Sequence, residues 1–380
     1  MFNYIIVGAG FAGSVIAERI ANVLNQKVLI EKRNHIGGHC YDYKDENNII
    51  VHKYGPHLFH TNNKKVFDYL SNFTEWQIYN HKVLGYIDGK KVSLPFNFNT
   101  IEQLFPKVLS EKLIAKLLEY FQINTKVPIL ELKKIQNSDL RFLSDYIYEK
   151  VFLNYTAKQW GKKPEEIDPE VTSRVPIFIG RDDRYFNDTY QAVPLFGYTK
   201  LFESMLNHKN IKLLLNTDYK EVINIDFQNK KMYLFNNEFN GKLIFTGPID
   251  ELFDYTYGVL QYRSLKIVTK TINTAFFQEA ATVNYPNNYD FTRITEFKHI
   301  HPINSVNTTI MYEYPDEYVQ GKTPYYSMFT TEAKMQYEKY FELSQTIKNL
   351  FLVGRLAEYR YYDMDDVVEK ALNVFEEKIK

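Results

Sequence analysis

The sequence predicts an α/β fold: a Rossmann-like domain assembled from separated segments, with an inserted helical domain and an antiparallel β-sheet domain. Three observations predict it. Residues 3–31 read strand, glycine-rich turn, helix, strand, acidic residue. Residues 99–160 carry apolar side chains at helical spacing, and residues 251–335 carry β-type runs broken by Pro and Asn.

The N-terminal unit opens on the apolar strand Tyr4-Ile5-Ile6-Val7 and runs into Gly8-Ala9-Gly10-Phe11-Ala12-Gly13. Its glycines serve a tight turn, close backbone approach to a pyrophosphate, and close helix-on-strand packing. A helix to about Leu24 follows, and its N-terminus offers N–H groups to phosphate. The strand Val28-Leu29-Ile30 then ends on Glu31, where a ribose hydroxyl needs an acceptor. The glycine pattern alone is a weak signal; in this context it indicates a dinucleotide. Lys32 just past the acid, then Gly37-Gly38-His39, suits a flavin dinucleotide better than a nicotinamide one.

Later segments complete the unit. Ile211–Leu215 reads as a strand, residues 220–241 as an antiparallel meander, and Leu243–Phe245 as a buried strand ending at Gly247-Pro248. Asn349–Val353 is another buried strand, ending in Gly354-Arg355. Asp363 begins a helix, with Asp366 as its capping-box partner. The positive end of that helix suits a flavin ring that gains negative charge on reduction. Asp363 serves equally as a plain cap.

In the helical insertion, Leu104, Val108, Leu113, Leu117 and Phe121 fall near helical spacing, as do Leu143, Ile147 and Val151. In the sheet region, Leu265–Val268 and Thr308–Tyr312 are strand-like. The expected domains are therefore residues 1–75 with 200–250 and 336–380 (dinucleotide binding), 99–170 (helical insertion with a following mobile loop), and 76–98, 171–199 and 251–335 (antiparallel sheet, substrate). A ligand would sit where they meet.

Composition narrows the function. The 380 residues can bury a large core in more than one domain. Lys+Arg and Asp+Glu are both 46, which argues against a nucleic-acid or anionic-membrane surface. The single cysteine, Cys40, excludes a disulfide framework and a cysteine-based zinc site, and fits a reducing cytoplasm. A strand beginning at residue 3 leaves no room for a signal peptide, and no apolar run approaches the ~20 residues of a membrane span.

His57-Leu58-Phe59-His60 lacks the carboxylate pattern of a metal site, and no nucleophile elbow is present. The remaining candidates are aromatic and basic. Tyr155-Thr156-Ala157-Lys158-Gln159-Trp160-Gly161 closes the helical region. Residues 161–199, punctuated by Gly and Pro, carry Arg174, Arg181 and Arg184, then Tyr185-Phe186. Such a segment suits closure over a phosphorylated ligand; a solvated surface loop fits it equally.

Three stretches are more specific: Tyr54-Gly55-Pro56-His57-Leu58-Phe59-His60-Thr61, the Y-T-x-K-Q-W-G run at 155–161, and G-R-L-A-E-Y-R-Y-Y-D-M at 354–364. With residues 244–248 and 262–265 they resemble the UDP-galactopyranose mutase family over almost the whole chain. The resemblance implies an isomerase (an intramolecular transferase) serving cell-surface polysaccharide synthesis. It would use FAD in its reduced form, interconvert UDP-galactopyranose and UDP-galactofuranose with flavin N5 as nucleophile, and form a homodimer.

Position by position, the resemblance makes Arg174 and Arg293 diphosphate-binding arginines, and His60 the histidine near the reacting flavin face. It makes Tyr155 the residue packed on uracil, beside Thr156, and Trp160 the loop-hinge tryptophan. Tyr185, Tyr314 and Tyr361 match tyrosines around the diphosphate, and Asn80 and Asn284 match polar substrate contacts. Cofactor contacts fall on Gly8, Gly10, Phe11, Ala12, Gly13, Glu31, Lys32, Gly38, His39, His57, Leu58, Arg355, Tyr362, Asp363 and Met364. His39 stands where many members have Asn. Arg263 is left out of the candidate site; a structural role, pairing near a domain junction, is one reading of it. The alternative is a flavin oxidoreductase of the amine oxidase type, which shares the glycine turn and the late helix without the arginine–tyrosine set.

Overall fold

The computed structural model describes residues 2–161 and 176–380. A five-stranded sheet holds, in order, Leu213–Leu214, Val28–Ile30, Tyr4–Val7, Lys242–Phe245 and Leu350–Leu352, each pair parallel. The separated segments expected from the sequence thus meet in one sheet. A parallel sheet needs both faces covered. One face carries the helices Phe11–Val23, Tyr198–Leu206 and Met364–Val374, packed around Val15, Ile16, Ile20, Phe202 and Val368. The other carries Ile249, Phe253 and the helix Thr331–Gln345. Each fully buried side chain such as Ile16, Phe202 or Phe253 contributes roughly 1.5–3 kcal/mol.

The glycine turn is dictated at two positions. Gly8 has φ +104°, and a Cβ there would lie 2.0 Å from Thr246 Oγ1. A Cβ on Gly13 would lie 1.9 Å from the Gly8 carbonyl oxygen, so glycine lets the helix seat on its strand.

A seven-stranded sheet runs Tyr326–Ser327, Tyr262–Ile272, Thr308–Glu317, Arg293–Glu296, Thr282–Asn284, Val83–Ile87, Lys90–Leu94. It is not wholly antiparallel: Thr282–Asn284 pairs parallel with Val83–Ile87. Parallel neighbours need a long connection, and the chain between them, which includes the helical insertion, supplies it. Three strands from the segments expected in this sheet do not join it. Trp76–Ile78 and Tyr190–Pro194 form a three-stranded sheet with Phe59–Thr61. Pro176–Phe178 pairs with Lys126–Pro128 of the helical region.

The helical insertion comprises Phe98–Leu104, Lys107–Tyr120, Ser138–Ile147 and Asn154–Trp160, around Leu113, Leu117, Leu143, Ile147 and Val151. Val108 departs from the expected stripe and is 81% exposed. Pro106 separates the first two helices, so spacing counted from Leu104 loses phase there. A π turn at Tyr148–Leu153 shifts the helical register just before Tyr155. No helix among the described residues is long and apolar enough to cross a membrane.

Candidate functional site

One cavity of about 1120 Å³ runs from the glycine turn to the seven-stranded sheet. At the glycine end, Gly8, Gly10, Phe11, Ala12, Glu31, Lys32, Gly38, His39, His57 and Leu58 line it. Arg355, Tyr362, Asp363 and Met364 join them from the C-terminal segment. Gly13 does not line it, in keeping with its packing role. Gly10 and Gly38 face each other so closely that a Cβ on Gly38 would lie 3.0 Å from the Gly10 Cα. Two bare backbones thus form a cradle. Glu31 Oε2 accepts the Ala9 N–H at 2.9 Å, and Oε1 accepts the Arg33 N–H at 3.2 Å. The carboxylate is thereby fixed beside the turn, with lone pairs left for a ribose. Lys32 pairs with Glu251. The helix from Met364 is closed by the expected capping box, the Asp363 N–H donating to Asp366 Oδ2 at 2.9 Å.

His39 shows what this end is built to hold. Arg355 Nη2 lies 3.2 Å from His39 Nδ1; a guanidinium only donates, so Nδ1 accepts. Burial, reinforced by Arg33 and Arg355, keeps the ring well below the usual histidine range and hence neutral, with the proton on Nε2. That Nε2 is buried without a partner. The ring stacks on Tyr325 at 5.3 Å and 8°. An unspent buried donor calls for an acceptor in the cavity. His57 is the converse: its Nδ1 lies 2.8 Å from the Gly55 carbonyl, and burial brings it down to about 4.

At the sheet end, Asn284, Arg293 and Glu313 are direct register partners on three adjacent strands, so their side chains share one face. All three line the cavity, with Tyr155, Tyr185, Tyr326 and Tyr361. Arg293 Nε lies 3.2 Å from Glu313 Oε2. Against the cost of burial, Glu313 and the tyrosines hold Arg293 charged; burial pushes Glu313 up more than Arg293 pulls it down. Asn284 Oδ1, Glu313 Oε1 and Arg293 Nε are buried without hydrogen bonds. His60 also lines the cavity, stacked on Phe186 at 3.7 Å, with Nδ1 3.1 Å from Asp188 Oδ2.

Some expected residues are elsewhere. Tyr314 follows Glu313 in the same strand, so alternation turns it to the opposite face, where it neighbours Tyr312 and Phe291. It does not line the cavity; Tyr326 does. Asn80 is exposed and outside the lining, and its neighbour His81 enters instead, brought by burial down to about 3. Thr156 is buried without lining the cavity. Arg181 pairs with Glu102 and Arg184 with Asp182, so neither lines it. Arg174 and the side chain of Trp160 lie outside the described residues. Arg263 Nη2 donates to the Lys158 carbonyl at 3.4 Å, against the end of the helix that carries Tyr155.

Lining residues not anticipated from the sequence include Arg33, His81, Asp188, Glu313 and Tyr326. Glu313 and Tyr326 carry no local signal, since only strand register selects them. Asp188 had one: it lies in the polar stretch Asn187-Asp188-Thr189 that follows Tyr185-Phe186.

Comparison with known proteins bears on this cavity. The family described as UDP-galactopyranose mutase matches residues 150–361, and the NAD(P)-binding Rossmann-like domain matches residues 6–73. A probable UDP-galactopyranose mutase of Klebsiella pneumoniae is 34% identical over 378 residues, covering 99% of this chain and 94% of its own. The chain belongs to the UDP-galactopyranose mutase family. It is thereby an isomerase with a Rossmann-like domain. A UDP-galactopyranose mutase of Mycoplasma genitalium is 35% identical, covering 97% of this chain and 92% of its own. Within the same range lies a dTDP-fucopyranose mutase of Escherichia coli, 33% identical, covering 100% and 99%. The crystal structure of reduced UDP-galactopyranose mutase superposes with TM-score 0.74 at 16% identity, covering 100% of this chain and 94% of that one, a match of fold.

Proposed function

We propose that this member of the UDP-galactopyranose mutase family holds FAD along the glycine cradle and interconverts UDP-galactopyranose and UDP-galactofuranose. The observation that carries the reading is the continuity of one cavity from the Gly10–Gly38 cradle to the Asn284–Arg293–Glu313 row. A dinucleotide and a second, anionic ligand can therefore meet within it.

The residues fit FAD. The paired glycines admit a pyrophosphate, Glu31 offers acceptors to a ribose, and His39 Nε2–H is an unspent donor in the cavity wall. The N-terminus of the Met364–Val374 helix faces the same space and favours negative charge. When bound and reduced, the flavin supplies an electron-rich N5 that can attack the anomeric carbon.

The protein's own task is to hold the sugar nucleotide, stabilise the departing diphosphate and exclude water. Arg293 meets the diphosphate with an undivided guanidinium fork, and each charge-assisted contact contributes roughly 1.5–3 kcal/mol. Arg174 is assigned the second such contact through the family resemblance. Tyr155 packs on the base, and Tyr185, Tyr326 and Tyr361 add hydroxyls without adding charge. Aromatic walls keep bulk water from an activated anomeric carbon. The reading extends to a homodimer, which the family resemblance implies, and to a cytoplasmic location, which a single cysteine suits.

A second reading keeps the chemistry and changes the substrate. The Escherichia coli relative is a dTDP-fucopyranose mutase, so a 6-deoxy sugar on a thymidine nucleotide is the competing substrate. One experiment decides between them. The dithionite-reduced protein is supplied with UDP-galactopyranose and dTDP-fucopyranose in parallel, and furanose products are separated by chromatography. Conversion of the uridine nucleotide supports the proposal; conversion of the thymidine nucleotide alone replaces it with the second reading. No conversion of either, with FAD bound, rejects both.

A further inference from the structure

His60 is held by more than stacking. Its Nδ1 lies 3.1 Å from Asp188 Oδ2, and Asn62 Nδ2 donates to the other carboxylate oxygen, Oδ1, at 2.9 Å. The orientation of Asn62 is not ambiguous. Its Oδ1 accepts the Thr189 backbone N–H at 2.9 Å and the Thr189 hydroxyl at 3.0 Å, and a backbone N–H can only donate. The amide nitrogen of Asn62 therefore faces Asp188, and the carboxylate is left to accept from His60. The strand Phe59–Thr61 buries Phe59 and Thr61 on one side and turns His60 to the other, into the cavity against Phe186. His60 Nε2 has no hydrogen-bond partner among the described residues.

We propose that Asp188 is a positioning residue for His60: it fixes the imidazole as the Nδ1–H tautomer and presents Nε2 to the cavity as an acceptor for a hydroxyl of the bound sugar. That Nδ1 carries a proton follows from the Thr189–Asn62–Asp188–His60 chain alone. Only the identity of the hydroxyl donor rests on the proposed function.

The chain makes an unusual demand of an Asp188→Asn variant. The new amide must turn its oxygen to Asn62 Nδ2, because two NH₂ groups cannot face each other. Its own NH₂ then faces His60 Nδ1 and donates, which forces the proton onto Nε2. The shape is kept and the tautomer is reversed, a change known to be severe where an imidazole must accept a proton. Adding Asn62→Asp undoes it. A carboxylate at 62 accepts from the amide at 188, whose oxygen turns back to His60.

The test is ¹⁵N NMR of FAD-loaded protein labelled at its histidine rings, with His60 assigned by its loss in His60→Gln. The expected result is a bare Nε2 in the unmodified protein, a protonated Nε2 in Asp188→Asn, and a bare Nε2 again in the Asn62→Asp/Asp188→Asn pair. Turnover of the reduced enzyme should fall about tenfold or more in Asp188→Asn and recover in the pair. FAD content and UDP affinity should hold throughout. A protonated Nε2 in the unmodified protein, as either the other tautomer or the cation, overturns the proposal, and so does an unchanged tautomer in Asp188→Asn. If the tautomers switch as stated while no variant, nor the unmodified protein, converts a sugar nucleotide, the assignment of Asp188 is upheld and the proposed function is what fails.

Discussion

Arg293 lies 3.2 Å from Glu313, its register partner on the next strand, yet its Nε makes no hydrogen bond among the described residues. The contact is an ion pair without hydrogen-bond geometry. Glu313 supplies the counter-charge that lets a guanidinium be buried in the cleft, while leaving its donors for a diphosphate. Arg293→Ala is expected to weaken UDP binding roughly 10- to 100-fold, the loss of one charge-assisted contact. It should also lower the melting temperature, because Glu313 is left buried without its partner. The double variant Arg293→Ala/Glu313→Gln should regain the melting temperature but not the affinity. Calorimetric titration with UDP and thermal melts check both; near-normal UDP binding by Arg293→Ala would remove it from the diphosphate site.

Tyr326, which lines the cavity, and Tyr314, on the far face of the sheet, offer a cleaner contrast. Tyr326→Phe removes a hydroxyl from the cavity and should cost about 0.5–1.5 kcal/mol of substrate affinity, a two- to tenfold rise in KM. Tyr314→Phe removes one from the far face of the sheet and should leave KM unchanged. The reverse pattern would place Tyr314 on the cavity face of the Thr308–Glu317 strand.

Two glycines of the turn should fail differently. A Cβ at position 10 meets only the Gly38 Cα, at the ordinary contact distance of 3.7 Å, so Gly10→Ala should fold. The new methyl group stands in the cradle, so the purified protein should lack flavin absorbance while its circular dichroism is retained. A Cβ at position 13 would strike the Gly8 carbonyl, so Gly13→Ala should lose both signals together. Full flavin occupancy in Gly10→Ala would mean that the cofactor does not pass between Gly10 and Gly38.

A buried histidine pair sets an acid limit on stability. His52 Nδ1 accepts the His57 N–H at 3.0 Å, so its proton sits on Nε2 and is donated to His301 Nε2 at 3.1 Å. Both rings must be neutral. Burial holds His52 well below the usual range and brings His301 down to about 4. A base depressed by folding is neutral in both states above about pH 6.5, so the pair's contribution is complete there. As pH falls from 6.5 toward 4 the unfolded chain takes up protons that the folded one refuses, and stability is lost. For His301 alone the loss is roughly 3 kcal/mol. Urea unfolding midpoints should drop across that window and go on falling below it, because His52 is depressed further than His301. His301→Gln, which keeps an acceptor for His52, should flatten the drop; an unaltered acid limb in that variant would place the sensitivity elsewhere.

What the sequence determined by itself is local. The Gly8–Gly13 turn, the helix behind it, Glu31 at the strand end and the Asp363–Asp366 capping box all stand as read, because each is specified within a few residues by backbone sterics and short-range hydrogen bonds. Apolar spacing placed Leu113, Leu117, Leu143 and Ile147 in the helical core, and failed at Val108 where Pro106 breaks the helix. Family motifs brought Tyr155, Arg293, Tyr361 and His60 to one cavity. Tertiary structure alone decided which side of a strand faces that cavity. Residue types did not separate Glu313 from Tyr314 as cavity-facing; a strand alternates with period two, and a one-residue difference in register exchanges its faces. Nor did they separate Asn80 from His81, which lie in the connection between the strands Trp76–Ile78 and Val83–Ile87. The partners of the site residues were equally hidden. Glu313 meets Arg293 only through strand pairing, and Asp188 meets His60 only because Tyr190–Pro194 lies beside Phe59–Thr61, pairings that follow from the packing of distant segments.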